Sequence, residues 1–127
     1  MNKIILVGTG GFVGAILRYV IGGYVQKWTA SVGFPYGTLS VNLIGCLVIG
    51  MLSRMDEIRS VFSPEIRLLV FVGVLGALTT FSTFSNETIS LMNDKRIYLA
   101  FLNIVIHIIF GLSAVLLGRI FIYLIWR

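Results

Sequence analysis

Residues 76–87 read "GALTTFSTFSNE" and continue directly from the apolar run "RLLVFVGVL" at 67–75. Together they form one stretch, about 66–92, long enough to cross a bilayer, since roughly 20 apolar residues span ~30 Å of hydrocarbon. Yet Thr79, Thr80, Ser82, Thr83 and Ser85 put five hydroxyls within seven residues, interleaved with Phe81 and Phe84 and followed by Asn86 and Glu87. A hydroxyl in a membrane helix often bonds back to the carbonyl four residues earlier and does nothing else. That habit absorbs two hydroxyls more easily than five, and Gly73 and Gly76 just upstream weaken the helix. The stretch therefore predicts a membrane helix broken near 76–80. Irregular backbone at that depth survives only when buried in protein or lining a watery cavity, and its freed carbonyls can coordinate a cation.

Working outward, the rest of the chain supports a membrane setting. Of 127 residues, 57% are hydrophobic and only 12% charged, against about 25% charged in a soluble domain. The pattern predicts four spans, about 4–26, 36–54, 66–92 and 97–125, in a single all-α transmembrane domain covering 1–127. The connections "KWTASVGFP", "RMDEIRSVFSP" and "NDKR" are short. Pro35 and Pro64 precede spans two and three, and "SPE" at 63–65 offers a serine cap with a carboxylate in the first turn. Lys3 followed by "IILVG" resembles the start of a signal peptide, but no small-x-small cleavage site precedes a soluble domain, so the first span is expected to be retained.

The net charge of +5 comes from basic residues near span ends and does not point to nucleic acid. One side of the membrane collects Lys3, Arg54, Arg59, Arg67 and Arg127, the other Lys27, Lys95 and Arg96. The positive-inside rule thus favours cytoplasmic termini by a small margin, which allows insertion both ways. The single cysteine, Cys46, excludes an intrachain disulfide. One cysteine and one histidine do not make a metal-catalytic site. No Ser–His–Asp set or paired aspartates can be assembled either, so an enzyme is not expected.

The helix surfaces are more specific. Gly10 with Gly14, Gly73 with Gly76, and Gly111 with Gly118 suit close helix packing, where small residues replace the missing hydrophobic drive. Thr38 and Asn42 share a face of span two, and Asn103, His107 and Gly111 form a stripe on span four. Arg18 lies deep in span one, where a cation either snorkels or sits at a vestibule mouth and concentrates anions. Glu87 is the one carboxylate candidate within the membrane. A phenyl ring is positive at its edge, so the edges of Phe81 and Phe84 can meet an anion that their faces would repel. Donors from Asn42, Ser82 and Thr83 could complete a small anion's shell. These residues imply a pore or transporter for a small ion, with an anion favoured.

At this point the chain resembles the Fluc (CrcB-type) fluoride channels of microbes, through "GGFVGAILRY" (10–19), "GTLSVNLIG" (37–45) and above all "GVLGALTTFSTFSNE" (73–87). The resemblance implies a passive, selective fluoride channel in the bacterial inner membrane. Fluoride enters a cell as its neutral weak acid and is trapped as the anion, and such a leak relieves its toxicity. It further implies an antiparallel, dual-topology homodimer with two pores and one central structural sodium ion. Carried over, Phe81 and Phe84 line the fluoride path with Asn42. The carbonyls of Gly76 and Thr79 hold sodium, four oxygens being supplied when two breaks meet. Thr38, Ser82, Thr83 and Glu87 belong to the adjoining polar track. Span four of the family usually carries a tyrosine and serines there, whereas this chain has Asn103 and His107. Because histidine changes charge in the physiological range, a pH-dependent flux is expected.

Two other readings stay open. A small dual-topology multidrug-type transporter has four spans, but it needs a carboxylate in span one, which here holds Arg18. A non-conducting helper subunit would use the glycines and polar stripes for assembly alone.

Overall fold

The computed structural model describes residues 2–30 and 33–126, in which every regular element is helical. Arg127, counted above among the charges on the terminal side, lies outside them. The first span is α1, Lys3–Trp28. Its start is capped by the Asn2 side chain, which accepts from the Ile4 amide at 3.2 Å. Its end is closed by the Thr29 hydroxyl donating to the Val25 carbonyl at 2.9 Å. The second span is α2, Tyr36–Arg59. Gln26 of α1 fixes its entry, accepting from the Gly37 amide at 3.0 Å and donating to the Phe34 carbonyl at 3.2 Å.

α2 runs on to Arg59 rather than stopping near residue 54, because its charged last turns are held from outside. Asp56 pairs with Arg67 at 2.6 Å, and Glu57 pairs with Arg54 at 3.2 Å and with Arg119 at 2.7 Å. Such pairs near the surface are worth about 0–1 kcal/mol each, and Arg54 and Arg59 also lie over the Tyr123 and Trp126 rings, 5.5 and 5.2 Å from their centres. The helix stops at Ser60, whose backbone is left-handed (φ 47°, ψ 44°).

The third span, Pro64–Asn93, is composite. It opens with α3, Pro64–Arg67, started as "SPE" predicts: the Ser63 side chain accepts from the Ile66 amide at 3.3 Å, Pro64 follows, and Glu65 lies in the first turn. A π-helical stretch, Leu68–Leu75, and a single turn, α4, Gly76–Leu78, complete the first arm. Thr79 and Thr80 are then extended (φ −86°, ψ 157° and φ −153°, ψ 119°), and the second arm is α5, Phe81–Asn93. The fourth span is α6, Ile97–Ile125. At 1.5 Å per residue the four spans of 26, 24, 30 and 29 residues reach about 36–45 Å, sufficient to cross a bilayer.

Two side-by-side pairs of spans make the bundle. α1 lies along the first arm, with Gly10 against Leu69 and Gly73, and Gly14 against Val74 and Ala77. A Cβ at Gly10 or Gly14 would collide with the Leu69 or Val74 carbonyl, so the backbones touch there. α2 lies along α6 in the same manner, Gly50 meeting Val115 and Gly118 meeting Leu47 and Met51. Gly22 and Gly37 join α1 to α2. The core is correspondingly thin, centred on Val41, Leu75 and Leu78, while large apolar side chains along every span face outward. That outward apolar surface suits lipid.

The expectation for the glycines divides. Gly10, Gly14, Gly73 and Gly118 mark close backbone contact. Gly76 and Gly111 do not, since a Cβ at either would find its nearest neighbour 3.7 Å away. Arg119, unplaced by sequence, joins the end of the bundle that also holds Lys3, Arg54, Arg59 and Arg67, through its bond to Glu57.

Candidate functional site: the break in the third span

The break falls at Thr79–Thr80, three residues beyond Gly76, and its cause is pairing as much as weak helix propensity. β-branched threonines fit extended backbone. Thr80 then meets Asn42 of α2, whose Oδ1 accepts from the Thr80 amide at 2.8 Å while Nδ2 donates to the Thr80 carbonyl at 3.1 Å. One carboxamide thus stands in for the facing strand of a miniature ladder. Beyond it, the Thr80 hydroxyl caps the second arm by accepting from the Thr83 amide at 3.2 Å, and it donates to the Thr83 hydroxyl at 3.1 Å. The Ser82 hydroxyl lies 3.2 Å from it.

This arrangement frees carbonyls. In a continuous helix the Thr80 amide would bond to the Gly76 carbonyl, and the Thr83 amide to that of Thr79. Here the first is turned to Asn42 and the second to the Thr80 hydroxyl. Gly76 and Thr79 are the two positions expected to hold sodium. Their carbonyls, hard neutral oxygens released from helical bonding, have the chemistry such an ion takes.

Two grooves flank the second arm, with buried Thr80 reaching both. The first, a cavity of about 680 Å³, is lined by Arg18 and Gln26 of α1, Thr38 of α2, and Thr83, Glu87 and Asp94 of the third span and its end. Thr38 donates to Glu87 Oε1 at 2.6 Å, joining α2 to α5. The other carboxylate oxygen, Oε2, is buried with no partner among the described residues. Arg18 is half-buried in this groove.

The second groove, about 750 Å³, is lined by Asn42, Cys46, Gly76, Thr79, Phe81, Phe84, Thr88 and His107, among others. The Phe81 and Phe84 rings lie 5.5 Å apart at 51°, and Phe84 lies 4.4 Å from the His107 ring at 43°. Tilted rings present edges to the groove as well as faces. Phe81 is 79% exposed, so its outer side is left open by this chain.

Asn103 lines neither groove. It is fully buried, donating from Nδ2 to the Thr88 hydroxyl at 2.9 Å, and Thr88 in turn donates to the Phe84 carbonyl at 2.8 Å. That chain ties α6 to α5. His107 Nδ1 lies 2.9 Å from the Asn103 carbonyl. Asn103 Oδ1 and His107 Nε2 are both buried without a partner among the described residues.

The expected site residues therefore gather around one feature but do not form one track. Thr38, Thr83, Glu87 and Arg18 share the polar groove, and Asn42, Phe81, Phe84 and His107 share the apolar one, with Ser82 beside the break. Thr88 was not singled out by sequence, although it stands four residues after Phe84 and so falls on the same face. Thr80 was read only as part of a hydroxyl stripe. Its role as hinge residue depends on Asn42, 38 positions away, and no local signal carries it.

A family model described as "CrcB-like protein, Camphor Resistance (CrcB)" matches residues 5–119. Over 119 residues the chain is 43% identical to "Fluoride-specific ion channel FluC 3" of Methanosarcina barkeri, covering 94% of this chain and 89% of that one. It is 47% identical over 119 residues to "Fluoride-specific ion channel FluC" of Shewanella loihica, and 44% identical over 120 residues to the protein of that name in Methanococcus aeolicus. Both matches cover 94% of each chain.

Proposed function

The chain belongs to the CrcB-like family, and from that premise we propose that it is a passive fluoride-selective channel of the cytoplasmic membrane that releases the anion from the cell. The observation that carries the reading is the mid-span break at Thr79–Thr80, set beside two tilted phenyl rings and a run of hydroxyls. A multidrug-type transporter would call for an intramembrane carboxylate in the first span, and that span carries Arg18 instead.

Dehydrating fluoride is costly, so a selective path must return short, strong contacts. The edges of Phe81 and Phe84 supply weakly positive C–H groups in an apolar groove, where electrostatic contacts count for more than in water. Asn42 keeps one Nδ2 proton beyond its bond to Thr80, available to the anion. Thr83 extends the donor set into the polar groove, with Ser82 beside the break, and Arg18 there raises local anion concentration; Thr38 gives its one hydroxyl proton to Glu87 and lines the groove as an acceptor. Glu87 accepts from Thr38 and so orients it. Asn103 acts through Thr88 on the position of Phe84.

A second copy of the chain is part of the proposal. Gly76 and Phe81 are exposed on this chain at the depth of the break, where lipid cannot satisfy irregular backbone. An antiparallel copy would cover them and bring its own Gly76 and Thr79 carbonyls to the same place. A sodium ion held by the four oxygens would neutralise the converging carbonyl dipoles and act as structure, without moving. Basic residues stand at both ends of the bundle, more of them at the end that holds the termini, which leaves insertion in both directions open.

The test is efflux from liposomes containing only the purified protein, loaded with sodium and potassium salts of fluoride or chloride, with valinomycin to balance charge. Fast fluoride loss with negligible chloride loss is expected. Loss of neither ion from a folded dimer would favour the helper-subunit reading.

A further inference from the structure

The one histidine of the chain faces the apolar groove with a defined tautomer. Its Nδ1 lies 2.9 Å from the Asn103 carbonyl oxygen. A carbonyl only accepts, so Nδ1 carries the proton of the neutral ring. Nε2 is then a bare lone pair, and it is buried with no donor near it among the described residues. A lone pair repels an anion. As long as the ring is neutral, His107 can offer fluoride nothing.

Adding a proton reverses this. Both nitrogens become donors: Nδ1–H keeps the Asn103 carbonyl, and Nε2–H, buried in the wall of the groove that His107 lines, becomes a charge-assisted donor without a partner among the described residues. We propose that His107 binds fluoride only as the imidazolium, so that a proton and the anion are taken up together and flux through the groove is acid-stimulated. This rests on the fluoride-channel reading and adds to it a proton-dependent donor.

The surroundings leave His107 in control of the effect. Of the elements packed around the groove, α2 contributes one other titratable group, Cys46, and the first arm contributes none. From α5 the lining groups are Phe81, Phe84, Ser85, Thr88 and Ile89, all uncharged, and Glu87 lines the opposite groove. α6 adds only isoleucines beside the histidine itself.

Because coupling is reciprocal, fluoride must favour the protonated ring as strongly as the proton favours fluoride binding. If the imidazolium binds fluoride tenfold more tightly than the neutral ring, saturating fluoride moves the titration midpoint upward by about one pH unit. With a single histidine, untagged protein labelled with ¹⁵N-histidine gives one set of imidazole signals per environment. The expected result is an Nδ1–H tautomer at high pH and a midpoint that rises when chloride is replaced by fluoride. In parallel, efflux from proteoliposomes, corrected for protein-free vesicles, should rise several-fold from pH 8 to pH 5.5, and His107→Gln, a donor at every pH, should be flat. Fluoride flux with no pH dependence, or a midpoint indifferent to fluoride, overturns the inference and leaves the channel reading standing. No fluoride flux at any pH overturns both.

Discussion

Replacing Asn42 by alanine tests the feature on which the whole site depends. Its carboxamide makes two bonds to the Thr80 backbone, at 2.8 and 3.1 Å, and Thr80 is 8% exposed. Two estimates of the cost compete. If these were ordinary interhelical bonds in a membrane, each would be worth ~0.6 kcal/mol and the pair about 1.2. However, Asn42→Ala leaves a buried amide and a buried carbonyl without partners at a point where the helix cannot supply them. An orphaned buried group costs ~1–3 kcal/mol, so for the two a loss of about 2–6 kcal/mol is expected. The second estimate should win, because Thr80 cannot rejoin the helix without moving the whole second arm. Reversible unfolding in mixed micelles measures the loss, and hydrogen exchange at the Thr80 amide locates it. Asn86→Ala, on the exposed side of α5, should stay within ~0.5 kcal/mol of the parent. A loss below ~1 kcal/mol with the Thr80 amide still slow to exchange would refute the pairing as the cause of the break.

Three further outcomes are expected. Gly14→Ala should separate α1 from the first arm, because its Cβ would meet the Val74 carbonyl, and cost ~1–3 kcal/mol by overpacking; Gly8→Ala, with open space around it, should be neutral or slightly stabilising in the same unfolding assay. Phe81→Ile and Phe84→Ile keep apolar bulk but remove the ring edges, so both should lower fluoride efflux at least tenfold with folding intact; normal flux in both would rule out the aromatic contact. Arg18→Gln should slow efflux more at about 0.01 M than at about 0.1 M salt, where the Debye length falls from ~30 to ~10 Å, whereas a salt-independent loss would mark a packing role.

Much of the fold was legible because membrane helices announce themselves by length and apolarity. All four spans, the serine cap at Ser63 and the break in the third were readable for that reason. The break's exact place was not. The hinge at Thr79–Thr80 falls within the expected 76–80, but which residues of that stretch form it is fixed by a long-range bond to Asn42 that no local pattern encodes. The π-helical stretch Leu68–Leu75 left no trace either, since "LLVFVGVL" offers no polar or charged residue to mark a change of helical register. In the site, residue types were readable and sides were not. Thr38 and Glu87 fall in one groove and Phe84 and His107 in the other, because α5 turns two faces toward two different neighbours. Asn103 shares its stripe with His107 in sequence, yet it is buried under Thr88 and braces the groove from behind.

The most direct test of the central claim is the reversal potential across a planar bilayer holding many copies of the protein. Sodium and chloride are kept equal on both sides, and a tenfold fluoride gradient is balanced with an impermeant anion. A passive fluoride-selective pore should reverse near the fluoride equilibrium potential, about 59 mV for a tenfold gradient of a monovalent ion. A potential near zero, with the current carried by sodium or chloride, would contradict it.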